Sequence, residues 1–211
     1  MIGGRKMNHK VNSVQALHDD AMALYNNVVI GSADTSADTL INNLYNGIQV
    51  LKGCWEGKDA GVQIQNVIGV HNALVGIRNA LGQLAADSSK IASNYREIQN
   101  ANGAGMEALN VIYSDSKTVL DAYSDNRDTI SITPEAQNGK ARIDAANNSM
   151  DGFISEVSRY YHSIMENWTV GTGRENAVNA FEGFIANSNR YKETLASVSS
   201  SIATALQNYT F

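Results

Sequence analysis

Four histidines, one cysteine and two short polar clusters are the residues of this chain whose types could do chemistry. Their spacing argues against most of it. His9, His18, His71 and His162 are scattered, and none follows a glutamate by three positions, the spacing by which helical bundles hold paired iron ions. His162 and Glu166 stand four apart and face each other on a helix, where an ion pair or a solvated face is the expectation. His71 falls beside an apolar seam and reads as a core or boundary histidine. Cys54 is the only cysteine, which excludes an intrachain disulfide and a thiolate zinc cluster; with no base indicated beside it, an inert thiol is expected. "DAYSDNRD", from Asp121 to Asp128, has the carboxylate density of a calcium loop without its glycine or its closing glutamate. "GTGREN" has two glycines but no third and no preceding strand, so it is not read as a nucleotide loop. No catalytic residue, metal ligand or cofactor is expected, and the chain is read as a non-enzyme.

Composition narrows the rest. The 211 residues are 43% hydrophobic and 18% charged, enough apolar material for a core. A net charge of −5 argues against a nucleic-acid partner, because phosphate binding needs a basic surface. Pro134 is the only proline, which suits a mostly helical chain. No apolar run approaches the ~20 residues that cross a bilayer. "MIGGRKMNHK" is basic but is followed by no apolar stretch, so a cleavable signal peptide is not expected.

The elements that must position any site come from an internal repeat. Trp55 in "LKGCWEGKDAG" and Trp168 in "MENWTVGTGREN" are the two tryptophans, 113 positions apart. Before them, Leu40, Ile41, Leu44, Ile48 and Leu51 line up with Phe153, Ile154, Val157, Tyr161 and Ile164. After them, with one extra residue in the second copy, Val67, Val70, Leu81, Leu84 and Ile91 line up with Phe181, Phe184, Leu195, Val198 and Ala205. Steps of three and four mark one face of a helix. Each copy therefore reads as helix, tryptophan-bearing turn, helix, and a short turn makes the two helices antiparallel neighbours. One such hairpin leaves an apolar stripe bare, and two cover each other. The fold expected is all-α: two antiparallel helical hairpins in a four-helix-bundle-like tandem repeat. The first hairpin is placed at 9–102 and the second at 129–211, with 103–128 as a connecting helix or linker.

Several details stay open at this level. The turn glycines, Gly57 and Gly171, allow a sharp reversal. Trp55 and Trp168 either cap the bundle or serve as exposed docking anchors, or both. Parallel stacking puts the two turns at one end; antiparallel stacking puts them at opposite ends. "VVIGSADTSADT" is expected to break or kink the first helix, the alternative being one helix from Val11 to Lys52. "ISITPEAQ" reads as a short extended lead-in with Thr133 as N-cap and Pro134 in the first helical position. Met106 to Asp125 has apolar residues at Leu109, Ile112, Val119, Leu120 and Tyr123 and is read as the connecting helix, packed against Val11 to Tyr25. Gly69 and Gly183 occupy matching positions, which suggests a close helix approach or a bend there, or inheritance without a present role.

Two tryptophan–glycine turns, each between amphipathic helices, resemble the WxG family of small helical-hairpin proteins, the early-secreted-antigen type. "CWEG" matches the motif in full, and in "NWTVG" the glycine comes one residue late. The lead-in "ITPEAQ" and its spacing to Trp168 also resemble how members begin. The chain resembles two members fused. The resemblance implies a role in type VII secretion in Gram-positive bacteria, either as an exported substrate or as a targeting partner or chaperone of a larger toxin. It implies partners among secreted helical proteins, toxin targeting domains and the secretion machinery, with a homodimer left open. It also implies a secreted location, cytoplasmic before export. The binding and turn residues it points to are Trp55, Gly57, Trp168 and Gly171. The family's export signal, a tyrosine with an acid four residues later, is missing: Tyr95 is followed there by Gln99. That leaves room for a partner that carries the signal. The alternative from another class is a membrane-active helical toxin component, against which stand the lack of a long apolar hairpin and of a basic face, so stable membrane insertion is not expected.

Overall fold

Serine caps start the first two helices, and three-four aliphatic spacing sets which faces are buried. The computed structural model describes residues 11–168 and 172–209. Helix α1 (Val14–Ala23) begins where Ser13, in extended backbone, accepts the Ala16 N–H at 3.2 Å. It runs on into a π-helical turn over Leu24–Val29, and the chain then breaks before α2. Helix α2 (Ala37–Cys54) starts at Ser36, whose hydroxyl accepts the Thr39 N–H, with Asp38 in the first turn and Lys52 in the last. The break expected near Ile30 is present, and the single helix from Val11 to Lys52 is not. A two-residue strand β1 (Trp55–Glu56) follows, then α3 (Lys58–Ala101), β2 (Ser131–Ile132), α4 (Ala136–Asn167) and α5 (Thr172–Tyr209). The lead-in to α4 is extended as expected, but its first helical residue is Ala136. Pro134 and Glu135 form a turn that feeds the helix, with the Ala136 N–H on the Thr133 carbonyl.

The fold is all-α, and the repeat organises it. Leu40, Leu44, Ile48 and Leu51 of α2 and Phe153, Val157, Tyr161 and Ile164 of α4 are all buried, as are Val67, Val70, Leu81 and Leu84 of α3 and Phe181, Phe184, Leu195 and Val198 of α5. They join one continuous core rather than one core per hairpin. The second hairpin is held inside by its aromatics: Tyr161 stacks on Phe181 at 4.3 Å between ring centres, and Phe153 meets Phe184 edge-on at 5.8 Å.

The hairpins stack antiparallel. Trp55, at the end of α2, pairs with Ile132, just ahead of α4. At the other end Val11 bridges Trp168, and between them Asn27 reaches the Tyr160 hydroxyl while the Ser163 hydroxyl donates to Asp20. The broken rod 11–54 thus runs the whole length of α4 in reverse, and the two tryptophan turns lie at opposite ends. The rods come close at Gly47 and Gly139, where an added Cβ on Gly47 would sit 3.1 Å from the Gly139 carbonyl oxygen. The close approach expected at Gly69 and Gly183 is not found: a Cβ at either meets nothing within 4 Å.

Antiparallel stacking corrects one expectation. The 44 residues of α3 span about 66 Å, and α4 begins back at the end where α3 began. The connection must retrace that distance. As a helix its 28 or so residues would span only about 42 Å, whereas extended they reach about 90 Å. Met106 to Asp125 is accordingly not a helix but an irregular extended strap lying along α3. It does pack beside the first helix, as expected: His18 Nε2 is 3.0 Å from the Asn110 carbonyl, and the Tyr25 hydroxyl donates to the Tyr113 carbonyl.

Candidate functional site

The first tryptophan turn is built around a reversed glycine. Trp55 is 1% exposed and ends α2 in extended backbone. Gly57 has φ 113°, and a Cβ there would lie 2.6 Å from the Thr129 carbonyl oxygen, so the turn needs glycine for both conformation and space. The Gly57 N–H donates to Asp125 Oδ2 at 3.0 Å. Asp125 comes from the strap, from within the acidic cluster Asp121 to Asp128, and its buried carboxylate also accepts from Arg127 at 2.6 Å. Arg127 in turn reaches Glu56 at 2.6 Å. The Arg127 hydrogen bonds, joined by the Gly57 and Arg127 backbone N–H groups, hold the Asp125 carboxyl well below the usual carboxylate range. This carboxylate is spent on protein donors.

The second turn has a matching plan. Trp168 is 1% exposed, its N–H closes α4 on the Ile164 carbonyl, and its own carbonyl accepts from Arg174. Its backing segment is Val11 and Asn12, where the first turn has Ile132 and Thr133. Each tryptophan is therefore paired, backbone to backbone, with the chain leading into the other hairpin. Gly171 lies outside the described residues. Both indoles are buried, one at each end of the core, so neither presents an exposed ring. Cys54, beside Trp55, is buried, and burial followed by the nearby Glu135 pushes its thiol up, away from a reactive thiolate.

The sequence reading missed a polar site, the groove of α3 that holds the strap. Asn72 donates to the Leu120 carbonyl and accepts the Leu120 N–H, both at 2.8 Å. Asn79 does the same to Lys117, at 2.9 Å each way, and Asn100 to Met106 at 2.8 Å. Gln65 accepts the Tyr123 N–H at 2.7 Å, and Ser89 the Ile112 N–H at 2.9 Å. Gln65, Asn72 and Asn79 are seven apart, while Tyr123, Leu120 and Lys117 are three apart. Seven helical residues rise about 10.5 Å, and three extended residues cover about 10 Å, so the two spacings are commensurate. Small residues let the strap lie close: a Cβ at Gly61 would sit 2.5 Å from the Asp125 nitrogen, and one at Gly82 would be 2.3 Å from the Ser114 hydroxyl.

Arginines lock the register. Arg78 is 0% exposed; its Nη1 donates to the Asp115 carbonyl at 2.6 Å, its Nη2 to the Asp115 carboxylate at 2.7 Å, and its Nε to Asp38 at 3.1 Å. That bond holds the Asp115 carboxyl below its ordinary value. Arg96 donates to the Glu107 carbonyl at 3.0 Å, and Lys52 lies 4.7 Å from the centre of the Tyr123 ring. His71 is buried, with the Tyr45 ring centre 6.5 Å from its own. Its Nδ1 stands 3.0 Å from Asn72 Oδ1, an oxygen already accepting from Leu120, so the ring nitrogen is the donor. Burial pushes its imidazole below the usual histidine value.

The repeat places a counterpart to this latch in the second hairpin. Asp38 corresponds to Asp151 and Arg78 to Lys192 under the two offsets of the repeat. Lys192 and Asp151 are paired, at 2.6 and 2.8 Å, but Lys192 is 30% side-chain exposed where Arg78 is fully covered. The strap thus makes the two copies unequal. Among the described residues no cluster of three or more His, Cys, Asp or Glu side chains converges as a metal site, and His162 is an exposed residue edge-on to Tyr161. Set beside family models, curated proteins and solved structures, the chain matches none.

Proposed function

We propose that the chain is a non-enzymatic protein of type VII secretion, either an exported substrate or a targeting partner of a larger secreted toxin, built as a fused pair of tryptophan-turn hairpins. The observation that supports this reading most is the pairing itself: two helical hairpins, each turning at a tryptophan, stacked antiparallel around one core within one chain. The buried indoles shift the expected recognition from the turns to the outer helix faces and the strap. Among the described residues no helix is long and apolar enough to cross a membrane.

The test is export. A tagged chain is followed in the culture medium of its native host, with the type VII machinery intact and with its motor deleted. The proposal expects the chain, or the chain with a co-purifying helical partner, in the medium of the intact strain alone. Equal amounts in both media, or retention in the cell with no secreted protein bound, would sink it.

A further inference from the structure

The strap leaves α3 by a reversal only three residues long. Asn102 closes the helix on the Ile98 and Gln99 carbonyls, and Gly103 and Gly105 both take positive φ, 91° and 58°. A Cβ at either glycine would meet nothing within 4 Å, so only the backbone angles of the reversal call for glycine there. The other end of the strap is different. There Asp125, Arg127 and the Lys58–Asp128 pair tie it to the first turn, and β2 is paired with β1. Residues 102–105 are therefore the natural hinge.

Everything beyond that hinge closes onto the first hairpin. The strap binds α3 through Asn72, Asn79 and Arg78, α4 lies on the rod 11–54, and α5 lies on α3. The same contacts are available on the first hairpin of another molecule once the reversal straightens. We propose that the chain forms an intertwined dimer with a second copy of itself, opening at Asn102–Gly105 so that each strap and second hairpin lies on its partner's first hairpin. The exchanged form keeps the contacts of the closed monomer and changes only the hinge, the condition under which exchange is a low-cost route to a dimer. The closed form is favoured by the high effective concentration of tethered halves. Conditions that strain the reversal, or high protein concentration, shift the balance. This inference does not depend on the export reading.

The experiment uses the full chain with Cys54→Ala, Glu56→Cys and Ser131→Cys. Residues 56 and 131 are register partners in the β1–β2 pair and link the first hairpin to the second. The disulfide between them closes within one chain in the monomer and between two chains in the exchanged dimer. Mass by light scattering and mobility on a non-reducing gel are read after refolding at low and at high concentration. The expected result is a monomer with an internal disulfide at low concentration and a dimer with interchain disulfides at high concentration. Adding Gly103→Ala and Gly105→Ala should raise the dimer share about tenfold, since alanine resists positive φ only in the closed form. A dimer whose disulfides close within each chain overturns the proposal, as does a chain that stays monomeric in every arm. If the alanine variant fails to fold, the concentration series on the glycine form decides alone.

Discussion

At the scale of single residues, the two tryptophans and three ionisable groups make the sharpest claims. Trp55→Ala removes a fully buried indole and should destabilise the chain by about 3–5 kcal/mol, read from the urea midpoint. Trp168→Ala should cost a similar amount, because its burial is the same. A variant of either that unfolds like the parent would show that the indoles do not close the core. The response to acid follows from three groups. Asp115 and Asp125 have folded-state carboxyls held below their unfolded values, by Arg78 and Arg127, so the stability they give is full above about pH 4 and is lost as the pH falls through and below that. His71 is kept neutral by burial, and its share is full above about pH 6.5 and lost on acidification from there. The urea midpoint should therefore fall in two stages, and His71→Asn should abolish the upper one. That His71 belongs to a core or boundary was legible in the sequence, from its place beside the seam. The roles of Asp125 and Arg78 were not, because their partners lie 68 and 37 positions away.

At the scale of elements, the helices were legible and the strap was not. Three-four spacing identifies a helix face because one turn takes 3.6 residues, and it marked the seams of α2 through α5 correctly. The same rule misread Leu109, Ile112, Leu120 and Tyr123. Their spacing of three is also that of an extended chain lying along a heptad-spaced groove, and local pattern cannot separate the two. What decides is the distance to be covered, a property of the stacking. The groove did leave a trace: Gln65, Asn72 and Asn79 recur every seven residues on one face of α3, where a free surface has no reason for regular amides. Replacing Asn72 and Asn79 with alanine should cost about 1 kcal/mol each, because the freed strap groups are partly exposed and rehydrate. Hydrogen exchange is the direct readout. The Lys117 and Leu120 amides should lose protection while the buried turns of α3 keep theirs; unchanged protection would mean the side-chain amides do not hold the strap.

At the scale of the molecule, duplication produces a bundle with approximate twofold symmetry that one connection breaks. The hairpins share a core, so the strap tethers them without building the interface between them. Opening the chain between Thr118 and Val119 with an inserted protease site should leave the halves co-eluting as a two-chain complex; separation on size exclusion would show that the strap supplies more than a tether. The matched rises of strap and helix carry a further consequence for how the length of this protein can vary. An insertion of three residues in the connecting segment, made together with seven in the long rod beside it, restores every clamp one step along. Insertion of a single residue in either leaves the amides facing the wrong peptide groups. Viable size variants of this chain should therefore come in quantised pairs, like teeth added to two meshed gears.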